Sequence, residues 1–190
     1  MKKIFITGIP TAGKTFLANK IAKKTGSIHI KIDDLRKEMI EQKSLKTYVN
    51  FFLNKNEKEY WENITPEKHW QNIIEQSEAF WPFILAKIKE YKNLEKAIIF
   101  EGVNLLPHLV KDLNISGIVL LGESEESTFS RLKANPRWGN SEELLREEAK
   151  WFYNIEGEKY KKEAEKYNFK CFKKKELAEN EITKMLINID

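Results

Sequence analysis

Residues 8–15 read GIPTAGKT, directly after the apolar run KKIFIT (2–7) and directly before a helical pattern over 15–25. Few local sequences restrict a chain more. Two glycines five positions apart let the backbone turn sharply and come close to a ligand's oxygen atoms. The amides between them, and those opening the following helix, converge on one point and make an anion cradle. The pattern G-x-x-x-x-G-K-[ST] adds a Lys for the β- and γ-phosphates of a nucleotide and a hydroxyl for Mg²⁺. Gly8, Thr11, Ala12, Gly13, Lys14, Thr15 and Phe16 are therefore read as nucleotide-binding, with Thr15 as a direct metal ligand. Pro10 has no N–H and cannot donate at its position. A Gly-rich turn would match this pattern by chance in about one chain in a hundred. The strand before it and the helix after it supply the context that such a turn would lack.

Four further β-rich runs follow: 27–32 (SIHIKI), 96–101 (KAIIFE), 116–121 (SGIVLL) and 169–172 (FKCF). The runs at 96–101 and 116–121 are continuously apolar, as expected of strands buried on both faces of a parallel sheet. Helical spacing separates the runs. Residues 15–25 place Leu17, Ile21 and Ala22 on one face and stop at Gly26. Thr65-Pro66 reads as an N-cap followed by Pro at the first helical position. Apolar residues then recur to Tyr91, with a kink expected at Pro82. Further helices are expected over 34–40, 141–167 and 176–188. Strand alternating with helix predicts an α/β fold, three layers deep, around a five-stranded parallel sheet. With 190 residues the chain reads as one domain, 1–190. Residues 41–95 form a helical, aromatic-rich excursion on the side where open α/β sheets bind their ligands, and 131–140 form a lid-like segment.

Composition removes several classes. The lone Cys171 excludes an internal disulfide framework and an all-cysteine metal cage, and fits a reducing, cytoplasmic setting. No apolar run reaches the roughly 20 residues of a membrane span, and no signal-peptide core precedes the first strand. The net charge of +4 comes from Lys interleaved with Glu, so nucleic acid is not the expected partner, although the pI near 8.9 keeps it open. GTP specificity would need N-K-x-D, and residues 54–57 read Asn-Lys-Asn-Glu. A mechanochemical ATPase would need a strand ending in Asp-Glu and a helical lid domain, and neither is found. The reading that remains is an ATP–Mg²⁺ phosphotransferase acting on a small-molecule acceptor.

The opening 2–25 resembles the P-loop small-molecule and nucleotide kinases (the adenylate, shikimate and gluconate kinase superfamily). Three more segments are similar to that group: IDDLR (32–36), FEGVNLLP (100–107) and RLKANPR (131–137). Within the group, D-x-L-R and EGVNLLP resemble the 2-phosphoglycerate kinase-like proteins, with Asn104 standing where His is expected. The resemblance implies a three-layer αβα P-loop NTPase fold with strand order 2-3-1-4-5. It also implies an Asp contacting the acceptor hydroxyl, an acidic-Gly pair after the third strand and arginines on a lid. On that basis the acceptor is expected to be a small molecule of the kind of a phosphorylated hydroxy acid.

The residues support these roles by their own chemistry. Asp33, ending the second strand, is placed to orient an acceptor hydroxyl and take its proton, while Asp34 is assigned to capping the helix behind it. Arg36, one turn on, offers a planar fork to an anionic acceptor, or lies on a solvated face. Glu101 ends an apolar strand and should face the site, bonding a metal-bound water or the acceptor. Arg131 and Arg137 are two of only four arginines in a Lys-rich chain and are assigned to transition-state charge, the alternative being a surface pair. His29, His69 and His108 stand isolated and receive no role; the aromatics at 48–83 either line an acceptor pocket or fill the core. Two other readings stay open: a kinase acting on RNA or DNA ends, and a nucleotide-binding switch with little turnover.

Overall fold

The computed structural model describes residues 2–52 and 54–187. Its five strands are β1 (Lys3–Gly8), β2 (Ile28–Lys31), β3 (Ile98–Glu101), β4 (Ser116–Leu120) and β5 (Lys170–Phe172). They form one sheet in the order β2-β3-β1-β4-β5, every pair parallel. This is the expected αβα arrangement. Strands β1, β3 and β4 are buried almost throughout, which explains why they read as unbroken apolar runs. The edge strands β2 and β5 are half exposed and correspondingly weaker in sequence.

Alternation along β1 sorts the two layers. Ile4 and Ile6 pack with Leu17 and Ile21 of α1 (Lys14–Thr25), on the face that also receives Ala178 and Ile182 of the C-terminal helix. Phe5 points the other way, toward Phe80, Ile84 and Ile88. Helix α1 stops at Gly26, whose φ of 71° suits the left-handed cap. After β2 the backbone enters a 3₁₀ turn, Ile32–Leu35, and a short α2 (Arg36–Met39). No side-chain bond caps either one, so the expected capping role of Asp34 is not realised.

The excursion between β2 and β3 holds α3 (Lys46–Val49), α4 (Glu57–Asn63) and α5 (Pro66–Glu90). Thr65 caps α5 as the sequence implies, its hydroxyl accepting from the Lys68 amide at 3.2 Å. Helix α5 continues through Pro82 to Glu90 as a single element. Beyond β3 come α6 (Pro107–Val110) and, after β4, α7 (Glu125–Ala134) with a reciprocal Ser124–Ser127 capping box. The expected helix over 141–167 is built in three parts without a break. They are α8 (Glu142–Lys150), six residues of π-helix (Trp151–Glu156) and α9 (Gly157–Lys166). Helix α10 (Lys175–Ile187) closes the described fold, and the expected end at residue 188 lies outside the described residues. No described helix is long and apolar enough to cross a membrane.

At the sheet centre Phe5 lies beside Phe100 on one strand and Gly117 on the other. A Cβ at Gly117 would come within 2.2 Å of the Phe5 ring, which is fully buried and meets Phe169 edge-on at 5.0 Å. The ring has no free space to retreat into. Gly117→Ala should therefore lower the urea unfolding midpoint by the equivalent of about 1–3 kcal/mol, the usual cost of overpacking a dense core. An unchanged midpoint would show that Phe5 yields freely.

Candidate active site

The loop after β1 is held open by backbone geometry that only particular residues tolerate. Gly8 has φ +124°, and a Cβ there would fall 2.0 Å from the Leu120 carbonyl oxygen. Thr11 (φ 60°) and Gly13 (φ 93°) are also left-handed, so the chain wraps around an empty centre. Lys14 folds back across this loop, its ammonium donating to the carbonyls of Gly8 (3.0 Å) and Ile9 (2.6 Å). Burial lowers its pKa, and the charges of Glu101 and Asp33 work against that shift.

Three strands converge below it. Glu101, only 1% exposed at the end of β3, accepts from the Thr15 hydroxyl at 3.0 Å. His29 Nε2 from β2 lies 3.5 Å from the same oxygen. Burial pushes the Glu101 pKa up, but His29, Lys14 and Thr15 outweigh it, and the net shift is downward. A carboxylate beside a hydroxyl at the mouth of a phosphate cradle is an all-oxygen donor set that suits Mg²⁺. Among the described residues no group of three or more His, Cys, Asp or Glu could itself cage a metal. A metal here would rest on Thr15 and, through water, on Glu101, with the nucleotide supplying further oxygens.

Arg131 reaches in from α7, donating to the Thr11 carbonyl at 2.8 Å and lying 3.5 Å from Glu123. Phe16 stands 65% exposed at the rim of the cradle, with the Lys175 ammonium 5.7 Å from its ring centre. The cradle is a cavity of about 330 Å³ that also takes in Asp33, Glu101 and Arg137.

A second cavity, about 450 Å³, adjoins it. Pro10, Asp33, Val103 and Arg137 line both, so the two chambers meet at Asp33 and Arg137. The second chamber has aromatic walls: Phe52 and Trp61 from the excursion, Trp138 from the lid-like segment and Phe152 from the π-helix. Trp138 sits edge-on to Phe52 and Trp61 at 6.0 and 5.5 Å, which ties the lid-like segment to the excursion. One side carries a buried polar network. Arg36 Nη2 donates to Asn104 Oδ1 (2.9 Å) and Gln76 Oε1 (3.3 Å), and Asn104 donates to Gln76 and Ser77. Its guanidinium lies 5.3 Å over Phe80, and burial lowers its pKa.

The far side is acidic. His69 Nε2 donates to Glu156 Oε1 at 2.9 Å, and Nδ1 lies 2.8 Å from the Tyr60 hydroxyl. Burial raises the Tyr60 pKa to about 12. Glu148, 2% exposed, keeps Oε2 without a hydrogen-bond partner among the described residues, and so does Asp33 at Oδ1. Burial first, then the charges of Glu57 and Glu156, push the Glu148 pKa to about 8.

The expected residues Lys14, Thr15, Asp33, Glu101, Arg131 and Arg137 thus gather around one cradle, and Arg36 opens onto the adjoining chamber. Arg36 is not on a solvated face. The three histidines are not isolated: His29 adjoins Glu101 and Asn19, His69 bridges Tyr60 and Glu156, and His108 bonds Glu163. Glu148 and Glu156 were not legible as site residues. The available signal was that they sit in register with Leu145, Phe152 and Tyr160, on the apolar stripe of their helix.

No protein-family model matches the chain, and no curated protein sequence does. Solved structures do. Deoxyadenosine kinase from M. mycoides, with bound dATP, is similar over 98% of this chain and 100% of its own, at 21% identity and TM-score 0.51. Shikimate kinase from Acinetobacter baumannii, in complex with shikimate, covers 98% of this chain and 93% of its own at 14% identity and TM-score 0.53. Shikimate kinase from Bacteroides thetaiotaomicron covers 97% and 98% at 17% identity and TM-score 0.54. The shared feature is the fold, as the resemblance to P-loop kinases implied.

Glu148 makes stability depend on pH. Between its ordinary pKa of 4.5 and about 8, the folded chain holds a proton that the unfolded chain has released. The stabilising contribution is complete below pH 4.5 and is lost as pH rises through 8. Glu148→Gln cannot ionise. Its stability relative to wild type should rise by about 2 kcal/mol or more between pH 5 and pH 8.5, read from urea midpoints at each pH. A pH-independent difference would place Glu148 in contact with water.

Proposed function

We propose that the chain is an ATP-dependent phosphotransferase that moves the γ-phosphate to a hydroxyl of a small molecule held in the aromatic chamber. One observation carries this reading: Asp33 and Arg137 line the phosphate cradle and the chamber at once. Transfer needs a donor and an acceptor site sharing one wall, with a base and a cation at that wall. The fold shared with the deoxyadenosine and shikimate kinases adds support.

In this reading Lys14 exchanges its loop carbonyls for the β- and γ-phosphate oxygens, and the amides after Gly8 orient the chain of phosphates. Thr15, and Glu101 through a water, would hold Mg²⁺, which would supply positive charge against the phosphate oxygens. Asp33 accepts the proton of the acceptor hydroxyl through its unpartnered Oδ1. The hydroxyl oxygen bonds to the γ-phosphorus as the bond from phosphorus to the β,γ-bridging oxygen breaks, and ADP leaves with that electron pair. Arg137, and Arg131 from α7, meet the charge on the moving phosphoryl oxygens. The segment after α7 contributes Trp138 to the chamber wall, edge-on to Phe52 and Trp61. The half-buried Cys171 suits a cytoplasmic setting.

Two variants test the assignment. Lys14→Ala should reduce ADP affinity by tenfold or more in a calorimetric titration, on the order of one or two lost charge-assisted hydrogen bonds. Asp33→Asn should leave ADP affinity within about twofold and slow acceptor-dependent ADP release from a panel of hydroxylated metabolites by about 10²-fold or more. Undiminished transfer in the Asn variant would remove Asp33 from the chemistry.

A further inference from the structure

The chamber's charges do not match an anionic acceptor. It is lined by three carboxyl groups, Asp33, Glu148 and Glu156, against two cations, Arg36 and Arg137. Arg36 is already held by Asn104 and Gln76, and Arg137 also faces the phosphate cradle. Glu156 has its hydrogen-bond partner in His69. Glu148 has none: it is almost fully buried, lines the chamber, and its Oε2 bonds to nothing among the described residues. A buried carboxyl without a partner costs stability, and a ligand that supplies the partner recovers that cost. The surrounding walls are aromatic, with Trp61, Trp138 and Phe152 lining the same cavity. Aromatic faces beside a carboxylate are the environment in which a substituted ammonium group is bound best.

Building on the phosphotransferase reading, we propose that the acceptor is a hydroxylated compound bearing an ammonium group, which seats against Glu148 among these rings while its hydroxyl reaches Asp33. The ammonium then plays the part of Glu148's missing partner. A phosphorylated hydroxy acid would instead bring its negative charge beside Glu156, in a chamber whose two guanidiniums are already engaged by Asn104 and Gln76 or shared with the phosphate cradle.

The electrostatics also predict how binding should respond to pH. The groups around Glu148 are Glu57 from α4, Glu156 from its own continuous helix, Arg137 from the segment after α7 and, lining the same chamber, His69 from α5. Protonated, Glu148 offers a cation little; ionised, it pairs with it. A ligand whose own charge is fixed will therefore bind more tightly as pH rises.

The experiment is calorimetric titration of the ADP-bound protein with matched pairs: choline against 3,3-dimethyl-1-butanol, and glucosamine against glucose. Shikimate, deoxyadenosine and 2-phosphoglycerate serve as the competing acceptor classes. Choline should bind at least about tenfold more tightly than its neutral isostere. Its affinity should rise about tenfold or more from pH 6 to pH 8.5, because choline itself does not titrate. Glu148→Gln should abolish both the preference and the pH response; the wild-type pairs and pH series decide the matter even if that variant does not fold. Equal binding within the pairs overturns the proposal. So does the absence of binding by both ammonium compounds at about 10 mM, or tighter binding of any competing acceptor than of both. ADP titrated alone, into wild type and Lys14→Ala, reports the donor side separately. An ADP site indifferent to Lys14 would refute the phosphotransferase reading whatever the choline result, whereas transfer to a neutral alcohol would sustain that reading and refute the ammonium one.

Discussion

A carboxylate buried at the end of a central strand is tolerable only where cationic and hydrogen-bonding groups surround it. Glu101 is such a carboxylate, and the groups that stabilise it come from two different places: Lys14 and Thr15 behind β1, and His29 on β2. Satisfying this one side chain requires the strand order β2-β3-β1, with Glu101 level with Lys31 on one side and Ile6 on the other. The same condition aims the first turn of α1 at the cradle and brings Asp33, two residues past β2, beside Gly102. A Cβ at Gly102 would already lie 3.3 Å from Asp33 Oδ1 and 2.9 Å from Ile32. Removing a polar group from this cluster would leave the rest both unpaired and misdirected.

The second chamber is built on a different principle. Apart from Pro10, Asp33, Arg36, Val103 and Asn104 beyond the strand ends, its walls are side chains from the excursion, the segment after α7 and the helix beginning at Glu142. Aromatic packing among Phe52, Tyr60, Trp61, Trp138 and Trp151 holds these segments together, with ring centres 5.0–6.0 Å apart. Such contacts are numerous and individually weak. The cradle is therefore specified by backbone conformation and charge, and the chamber by how rings happen to fill space. Substitutions in the first should abolish a function; substitutions in the second should change what is accepted.

That division also explains what could be read in advance. The strands, the loop after the first of them and the start of α5 were legible because each imposes a local rule: continuous apolar runs, paired glycines, a Thr-Pro helix start; the strand order was legible only through the resemblance to the P-loop kinases. Glu101 was legible because a carboxylate at the end of a buried strand has few places to go, and Asp33 because the resemblance implies an Asp just after the second strand. Arg36 was legible only in part, since its partners Gln76 and Asn104 lie 40 and 68 residues away and meet it only once α5 has packed. Glu148 was hidden by its surroundings. In a segment where Glu, Lys and Arg occupy most positions, one more Glu reads as solvated surface unless its apolar neighbours are counted. Phe80 and Phe52 share a helical or near-helical aromatic pattern, yet one is core and the other chamber wall; periodicity cannot separate them.

Glu148, Phe152, Glu156 and Tyr160 follow one another at intervals of four and all line one chamber. On a regular α-helix each such step advances about 40° past a full turn, so the fourth residue would lie about 120° away from the first. The wider winding through Trp151–Glu156 takes up most of that drift and keeps the four side chains in a straight row. Deleting one residue there would restore ordinary helical hydrogen bonding and improve the helix as a helix. The flanks would keep their register, since eleven regular steps of about 100° bring Tyr160 to within about 20° of Glu148, whereas winding all twelve steps regularly would turn them about 120° apart. The less regular helix is what makes the row possible.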